Sequence, residues 1–477
     1  MLHAISDAPA LGPPPAPLAF DADLVRRYDF QGPRYTSYPT ADRFHEGFGP
    51  ADYLQALGSR RGSHPRDPLS LYVHVPFCDT LCFYCACNKV VTRDRSRSAR
   101  YVRYVEREID AVASALAGDG PSAEVEQLHL GGGTPTFLAH DEMSALIGRL
   151  RASFPFARDI EASIEVDPRK VDAGTIAFLG TLGFNRISIG VQDFDPAVQR
   201  AVNRLQSVDV TRAVVDAARA NGFRSVNLDL IYGLPKQTLA GFSTTLDRVI
   251  ELAPDRIALY GYAHVPHLFK PQRRILEPDL PPPAAKLAIL AHAVERLGAA
   301  GYVYIGMDHF AKPDDELARA QRERRLHRNF QGYSTKPDCD LLAFGISAIG
   351  KVGNTYVQNV RTLDEYYDRL DAGTLPAFRG YALSADDVIR RDAIGRLMCD
   401  FELPIAEFEA RHGVAFSRAF AAELAALVPL ADDGLVEISP KQIRVTDRGR
   451  MVVRAVAMVF DRHLREARAA ARYSKVI

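Results

Sequence analysis

The reading of this chain turns on Leu71-Tyr72-Val73-His74-Val75-Pro76-Phe77-Cys78-Asp79-Thr80-Leu81-Cys82-Phe83-Tyr84-Cys85-Ala86-Cys87. Its first five residues are rich in aliphatic, β-branched and aromatic side chains and predict a buried strand. Four cysteines follow within ten residues, spaced Cys78-x3-Cys82-x2-Cys85-x-Cys87. Thiols this close cannot easily close two unstrained disulfides. A structural zinc usually draws two ligand pairs separated by a longer loop, and no second pair follows. Cys78, Cys82 and Cys85, spaced four and three apart, can instead reach three irons of one cubane iron–sulfur cluster. The fourth iron is then left without a protein ligand, as a reactive cluster needs. Cys87 is either a fourth ligand or a neighbour outside the cluster, and its spacing of one residue from Cys85 makes wrapping onto the same cubane awkward. Cys339 and Cys399 stand alone and are expected to be buried and inert.

Outward from this loop, strand-like and helix-like stretches alternate six times between about residues 69 and 301. Strands are predicted over 71–75, 125–130, 160–166, 186–191, 225–231 and 256–262. Helices are predicted over 98–117, 141–154, 172–182, through 221, 239–252 and 283–299. Such alternation implies an α/β domain with a parallel sheet, because parallel strands need crossover connections. Six units fall short of the eight in a full barrel of about 250 residues. Periodicity alone leaves a partial barrel and an open doubly wound sheet both possible. Beyond 302 the pattern changes, with one more strand over 302–310 and charged helix mixed with Gly-containing loop over 313–353. From about 383 the chain reads as a small, mostly helical unit with a short hairpin, winged-helix-like. The expected divisions are a disordered tail over 1–20, an N-terminal segment over 21–65, the βα domain and its extension over 66–375, and a C-terminal domain over 376–477.

A chain of 477 residues with 47% hydrophobic and 25% charged residues is not disordered as a whole. Its 59 basic and 59 acidic residues argue against a protein that coats nucleic acid or an anionic membrane. No run approaches the ~18 apolar residues of a membrane span. The start is Ala/Pro-rich with Pro13, Pro14 and Pro15, unlike a secretory signal. The expectation is a cytoplasmic monomer with no nucleic-acid or membrane partner.

Gly131-Gly132-Gly133-Thr134-Pro135-Thr136 directly follows the second predicted strand. Alone, a Gly triplet usually marks a tight βα turn; it also lets the backbone approach a ligand closely. Glu165 and Gln192 end the third and fourth strands, and Asp229 lies in the fifth. Barrel strands deliver functional residues at such ends, although a lone carboxylate there more often caps a helix.

The Cys-x3-Cys-x2-Cys motif after the first strand of a βα array resembles the signature of the radical S-adenosylmethionine (SAM) superfamily. That resemblance implies a partial (β/α)6 TIM-like barrel and a [4Fe-4S] cluster with three cysteine ligands. It implies that the open iron is chelated by the methionine moiety of SAM, and that an electron from the cluster yields a 5′-deoxyadenosyl radical. It also places Tyr84 near the adenine, the Gly131–Gly133 loop on the methionine amino group and Glu165 on the ribose hydroxyls.

A closer resemblance rests on Arg34-Tyr35-Thr36-Ser37-Tyr38-Pro39-Thr40, Tyr72 to Cys78 with the extra Cys87, Gly190-Val191-Gln192-Asp193-Phe194, Val202-Asn203-Arg204, Ile305-Gly306-Met307-Asp308-His309-Phe310 and His327-Arg328-Asn329-Phe330-Gln331-Gly332-Tyr333. These are similar to the oxygen-independent coproporphyrinogen III oxidase (dehydrogenase) family of bacterial haem synthesis, from about residue 25 to the terminal 473–477. The resemblance implies SAM contacts at Tyr72, Gly132, Gly133, Thr134, Glu165, Gln192, Arg204, Asp229, Ala263 and Ile349, shared between two SAM molecules. It implies an electron donor such as flavodoxin or ferredoxin, and coproporphyrinogen III as substrate, two of whose four propionates become vinyl groups. A tetra-anionic substrate calls for cations and hydroxyls. Arg34, Tyr35 and Tyr38 are candidates for a substrate flap, against the plainer reading of a surface cation and packed tyrosines; Lys89 and Arg93 lie beside the cysteines. Two rivals are a haem chaperone of the same superfamily and an iron–sulfur electron carrier. The chaperones carry a His-Asn-x-x-Tyr-Trp motif, which a chain without tryptophan cannot contain. An electron carrier needs far less protein than a six-unit βα domain.

Overall fold

In a computed structural model of the protein, which describes residues 18, 20–28, 32–118, 123–336 and 338–466, six parallel strands form where the alternation places them. They are β1 (Leu69–Val75), β2 (Val125–Gly132), β3 (Phe156–Val166), β4 (Arg186–Gln192), β5 (Ser225–Tyr232) and β6 (Arg256–Gly261). Apart from Leu18 and Phe20, the predicted tail over 1–20 lies outside the described residues, as does the terminal 473–477. The six strands lie side by side in chain order, without reversal. Right-handed crossovers in an unreversed order put the helices on one face and curl the sheet, whereas a doubly wound sheet reverses its order at the centre. The strand order therefore selects the partial barrel.

The covering helices follow from their apolar spacing and caps. Helix Ser96–Leu116 buries Ser98, Tyr101, Val102, Val105, Glu108, Ile109 and Val112, the three-and-four spacing of a single face. It packs on His140–Ser153, while Ala173–Thr181 packs on Val208–Ala220 and Leu239–Leu252 on Pro283–Ala299. Side chains of Asp172, Ser207 and Thr238 cap their helices by accepting the amides of Thr175, Val210 and Gly241.

The sheet extends well past the six predicted strands, to twelve. Beyond β6 the single strand expected over 302–310 is an antiparallel pair, β7 (Val303–Gly306) and β8 (His309–Ala311). Gly306 at φ 141° and Met307 at φ 52° turn the chain back between them. Beyond β1 lies β9 (Asp340–Phe344), parallel to it, followed by β10 (Ile349–Val352), β11 (Thr355–Asn359) and β12 (Ala377–Ala382) in antiparallel succession. The mixture of helix and Gly-containing loop expected over 313–353 is thus partly strand: β9 is a short, wholly buried run whose partner lies some 270 residues earlier in the chain.

A hairpin, His327–Asn329 with Gly332–Ser334, reaches the barrel interior, where Gln127 of β2 donates to Ser334 Oγ at 2.9 Å. After helix Ala385–Asp400, three short antiparallel strands (Glu402–Pro404, Gln442–Val445, Val436–Ile438) and further helices form the C-terminal unit around buried Phe408, Phe416, Phe420 and Phe460. Its apolar core is continuous with that of the barrel. The segment carrying Arg34 to Thr40 straps the two together: Tyr35 Oη donates to Asp461 at 2.9 Å, and the Arg462 amide donates to Tyr38 Oη at 3.3 Å. No described helix is long and apolar enough to cross a membrane.

Candidate active site

Several of the predicted site residues lie at or near the C-terminal ends of the parallel strands, while Tyr72 and Asp229 lie further inside theirs. Tyr72 lies in β1, Gly132 ends β2, Glu165 is next to last in β3, Gln192 ends β4 and Asp229 lies in β5. Ala263 follows β6 by two residues, and Ile349 opens β10 just after the turn that leaves the same end of β9. The register sets Tyr72 beside His129, and His129 beside Ser163. The Tyr72 and His129 rings stack at 5.8 Å, and Tyr72 Oη and His74 Nδ1 lie 3.0 Å apart in a hydrogen bond.

Glycine is required in the loop after β2 by two close approaches. Gly132 adopts φ +112°, and a Cβ there would fall 2.6 Å from the His74 ring. A Cβ on Gly133 would fall 2.7 Å from the Pro76 carbonyl. The amides of Gly133 and Thr134 donate to the carbonyls of Val75 and Phe77, each at 2.8 Å, so this loop is laced to the start of the cysteine loop. Thr134 Oγ1 also donates to Cys78 Sγ at 3.5 Å.

The cysteine loop returns on itself through a two-residue parallel pairing of Phe77–Cys78 with Val90–Val91. His74 Nε2 contacts the Asn88 carbonyl at 2.9 Å, and Lys89 Nζ donates to the carbonyls of Cys85 and Cys87 at 3.1 and 3.4 Å. Cys78, Cys82 and Cys85 are half-buried and Cys87 is exposed, whereas Cys339 and Cys399 are buried away from this loop. Burial pushes the Cys78 thiol up to about 11. A hydrogen bond from Cys87, helped by the Lys89 charge, pulls Cys85 down to about 6. Two guanidiniums face Cys82 Sγ, Arg204 Nη1 at 3.7 Å and Arg169 Nη2 at 3.8 Å.

Among the described residues no three His, Cys, Asp or Glu side chains converge as a single metal ion would require. A cubane differs, because each thiolate meets its own iron. Three cysteines on one short loop, with guanidinium and hydroxyl donors aimed at their sulfurs, fit an anionic iron–sulfur group, whose properties such hydrogen bonds tune.

Around this loop the strand-end side chains form a charged network. Burial raises the Glu165 carboxyl, but the His129 hydrogen bond and charge and the Gly132 amide outweigh it and hold it below its usual value. Asp229 accepts from Ser188 at 3.0 Å and Asn227 at 2.8 Å, and burial with the nearby Glu165 charge raises it to about 7. Arg204 donates to the Gly190 carbonyl at 2.6 Å and pairs with Asp167 at 3.3 Å. Gln272 Nε2 bridges the carbonyls of Tyr84 (3.1 Å) and Ala263 (3.2 Å). His129, Asp167 and Arg169 were not anticipated from sequence. His129 and Ser163 could have been found from inward-facing alternation along β2 and β3, and Arg169 from its position two residues after Asp167.

Arg34, Tyr35 and Tyr38 stand apart from this rim network. The Arg34 guanidinium pairs with Asp308 in the β7–β8 turn and lies 5.8 Å from the Tyr260 ring centre, while both tyrosines are buried in the strap.

Residues 72–249 match the Radical SAM superfamily model, and 383–452 match the HemN C-terminal domain. The oxygen-independent coproporphyrinogen III oxidase of Pseudomonas aeruginosa is 51% identical over 450 residues, covering 94% of this chain and 96% of the relative. The protein of that name from Escherichia coli K12 is 49% identical over 458 residues, covering 96% of this chain and 98% of the relative. This chain belongs to the oxygen-independent coproporphyrinogen III oxidase family. A solved structure of the Escherichia coli member, described as a radical SAM enzyme, superposes with a TM-score of 0.89 at 48% identity, covering 94% of this chain and all of that one. Family membership brings with it a [4Fe-4S] cluster and SAM.

Proposed function

We propose that this protein converts coproporphyrinogen III to protoporphyrinogen IX by oxidative decarboxylation of two propionates. The observation that carries this reading is the end-to-end likeness to relatives bearing that activity in their name. The cysteine loop laced to the glycine loop supports it. Cys78, Cys82 and Cys85 hold one [4Fe-4S] cluster and Cys87 stays outside it; Arg169 and Arg204 offset the charge on the cluster sulfurs. Gly132, Gly133 and Thr134 present backbone to SAM, Glu165 accepts its ribose hydroxyls, and Tyr84 lies against its adenine. Tyr72, Gln192, Arg204, Asp229, Ala263 and Ile349 complete the walls for SAM, with two molecules bound.

A propionate β-carbon carries no acidic hydrogen, so general-base catalysis has nothing to work on. When bound, the cluster and SAM supply a carbon radical able to abstract that hydrogen. Each side chain then loses carbon dioxide and one electron, which passes to an external acceptor, leaving a vinyl group. The barrel's part is to orient the propionate at the rim and to exclude water. The strap bearing Arg34, Tyr35 and Tyr38 walls the substrate space. We further read the protein as a cytoplasmic monomer reduced by a flavodoxin or ferredoxin.

The test is anaerobic incubation of the cluster-loaded protein with coproporphyrinogen III, SAM and a reductant. Protoporphyrinogen IX should form with carbon dioxide, and its absence with an intact cluster would overturn the reading.

A further inference from the structure

The hairpin His327–Ser334 places Arg328 directly across from Tyr333, with the guanidinium over that ring at 4.6 Å. Tyr333 is itself anchored by donating to the Met398 carbonyl at 2.9 Å. His309 of β8 stands edge-on to both Tyr333 (5.3 Å) and Tyr260 (5.9 Å). Arg328 Nε, Arg328 Nη1 and His309 Nδ1 are all buried and make no hydrogen bond among the described residues. No described carboxylate lies within ion-pairing distance of Arg328.

Charge in this region is unbalanced. Asp308 is paired with Arg34, and the same carboxylate also feels the charges of Arg454 and Arg328. Burial together with the Arg328 charge pushes the His309 imidazolium down to about 3, so His309 is neutral and cannot answer for a negative partner. Burying a guanidinium with unmet donors is costly unless something anionic completes it. Arg328 also lines a cavity of about 510 Å³ between the strap, the hairpin and helix Ala385–Asp400.

We propose that Arg328 and His309 form a carboxylate-binding subsite that anchors one propionate of the substrate. Resting on the porphyrinogen reading above, it adds a substrate-binding pair on a hairpin outside the SAM-facing rim. Arg34 is already engaged by Asp308, whereas Arg328 has donors to offer. Arg rather than Lys suits the task, because its several fixed N–H groups can meet both carboxylate oxygens. His309 adds one neutral donor or acceptor beside them.

The test uses the cluster-loaded full chain, with oxidised coproporphyrin III as a non-reacting tetra-anionic probe. Arg328→Gln should weaken probe binding and raise KM for coproporphyrinogen III by about 30-fold or more, the loss expected for one partner of a buried charge pair. His309→Phe should weaken binding by several-fold. Perturbation of the reduced cluster's EPR signal by SAM should be unchanged in both. The melting temperature of ligand-free Arg328→Gln should stay level or rise, because a buried uncompensated charge is gone; a fall would mark a structural role and overturn the proposal. Probe binding and KM within threefold of the parent would also overturn it, with turnover leaving the decarboxylase reading intact. A parent that binds the probe through Arg328 yet never turns over coproporphyrinogen III would instead overturn the decarboxylase reading and leave the carboxylate subsite standing.

Discussion

The Gly132 amide donates to Glu165 Oε2 at 3.1 Å, tying the glycine loop after β2 to the end of β3. Glu165 also lies 3.4 Å from His129 Nε2, so its charge is held in place before any ligand arrives. Glu165→Ala should leave iron and sulfide content at parental levels while weakening SAM binding by roughly 10- to 100-fold, the range for a charged hydrogen-bond partner. Glu165→Gln should fall between the two. Equilibrium binding of SAM to the reduced protein checks this, and parental affinity in the alanine variant would remove Glu165 from the site.

The four cysteines of the loop should divide three to one. Cys78→Ala, Cys82→Ala and Cys85→Ala should each lose the cluster and all activity, measured by iron content and EPR. Cys87→Ala should keep a cluster, consistent with its exposed position. Full cluster loss in that variant would make it a fourth ligand.

Glu108 provides a pH signature in stability. Buried in helix Ser96–Leu116, it accepts from the Gly345 amide (2.8 Å), Asn359 Nδ2 (2.6 Å) and Tyr366 Oη (2.6 Å), which pins the turn after β9 to the barrel. Burial raises its carboxyl to about 7, against which these three donors act. The folded chain therefore keeps a proton that the unfolded chain has released. The associated stability is fully present below about pH 4.5 and is lost as pH rises through about 7. The difference in unfolding free energy between parent and Glu108→Gln should shift by roughly 3 kcal/mol across that window, against the parent as pH rises. A pH-independent difference in denaturant titrations would contradict the assignment.

The strap makes a stability and activity prediction together. Deleting residues 1–40 removes Arg34, Tyr35 and Tyr38, leaving Asp308 and Asp461 without these partners. The melting temperature should fall and turnover should drop, with cluster content retained. Unchanged turnover would show that the strap takes no part in the substrate space.

The six βα units and the rim were legible because both signals are local. Each strand is a short apolar run followed by an amphipathic helix, and Glu165 and Gln192 sit where such strands end. The extension over β9 to β12 was not legible. Asp340 to Phe344 is five residues, buried throughout, with no alternation to mark a strand and a partner only in β1. One strand was expected where β7 and β8 form a hairpin, since the positive φ at Met307 is a backbone property no side chain announces. The charged interior escaped for a similar reason: Arg328 lies on one hairpin and the neighbouring Asp308 and His309 on another, and the two meet only once the chain is folded.

The proposed reaction takes hydrogen from a propionate β-carbon by a radical derived from SAM. Coproporphyrinogen III deuterated at the propionate β-positions, incubated anaerobically with cluster-loaded protein, SAM and reductant, tests it directly. Deuterium should appear in the recovered 5′-deoxyadenosine, together with a vinyl-bearing product. Vinyl product with unlabelled 5′-deoxyadenosine would contradict it.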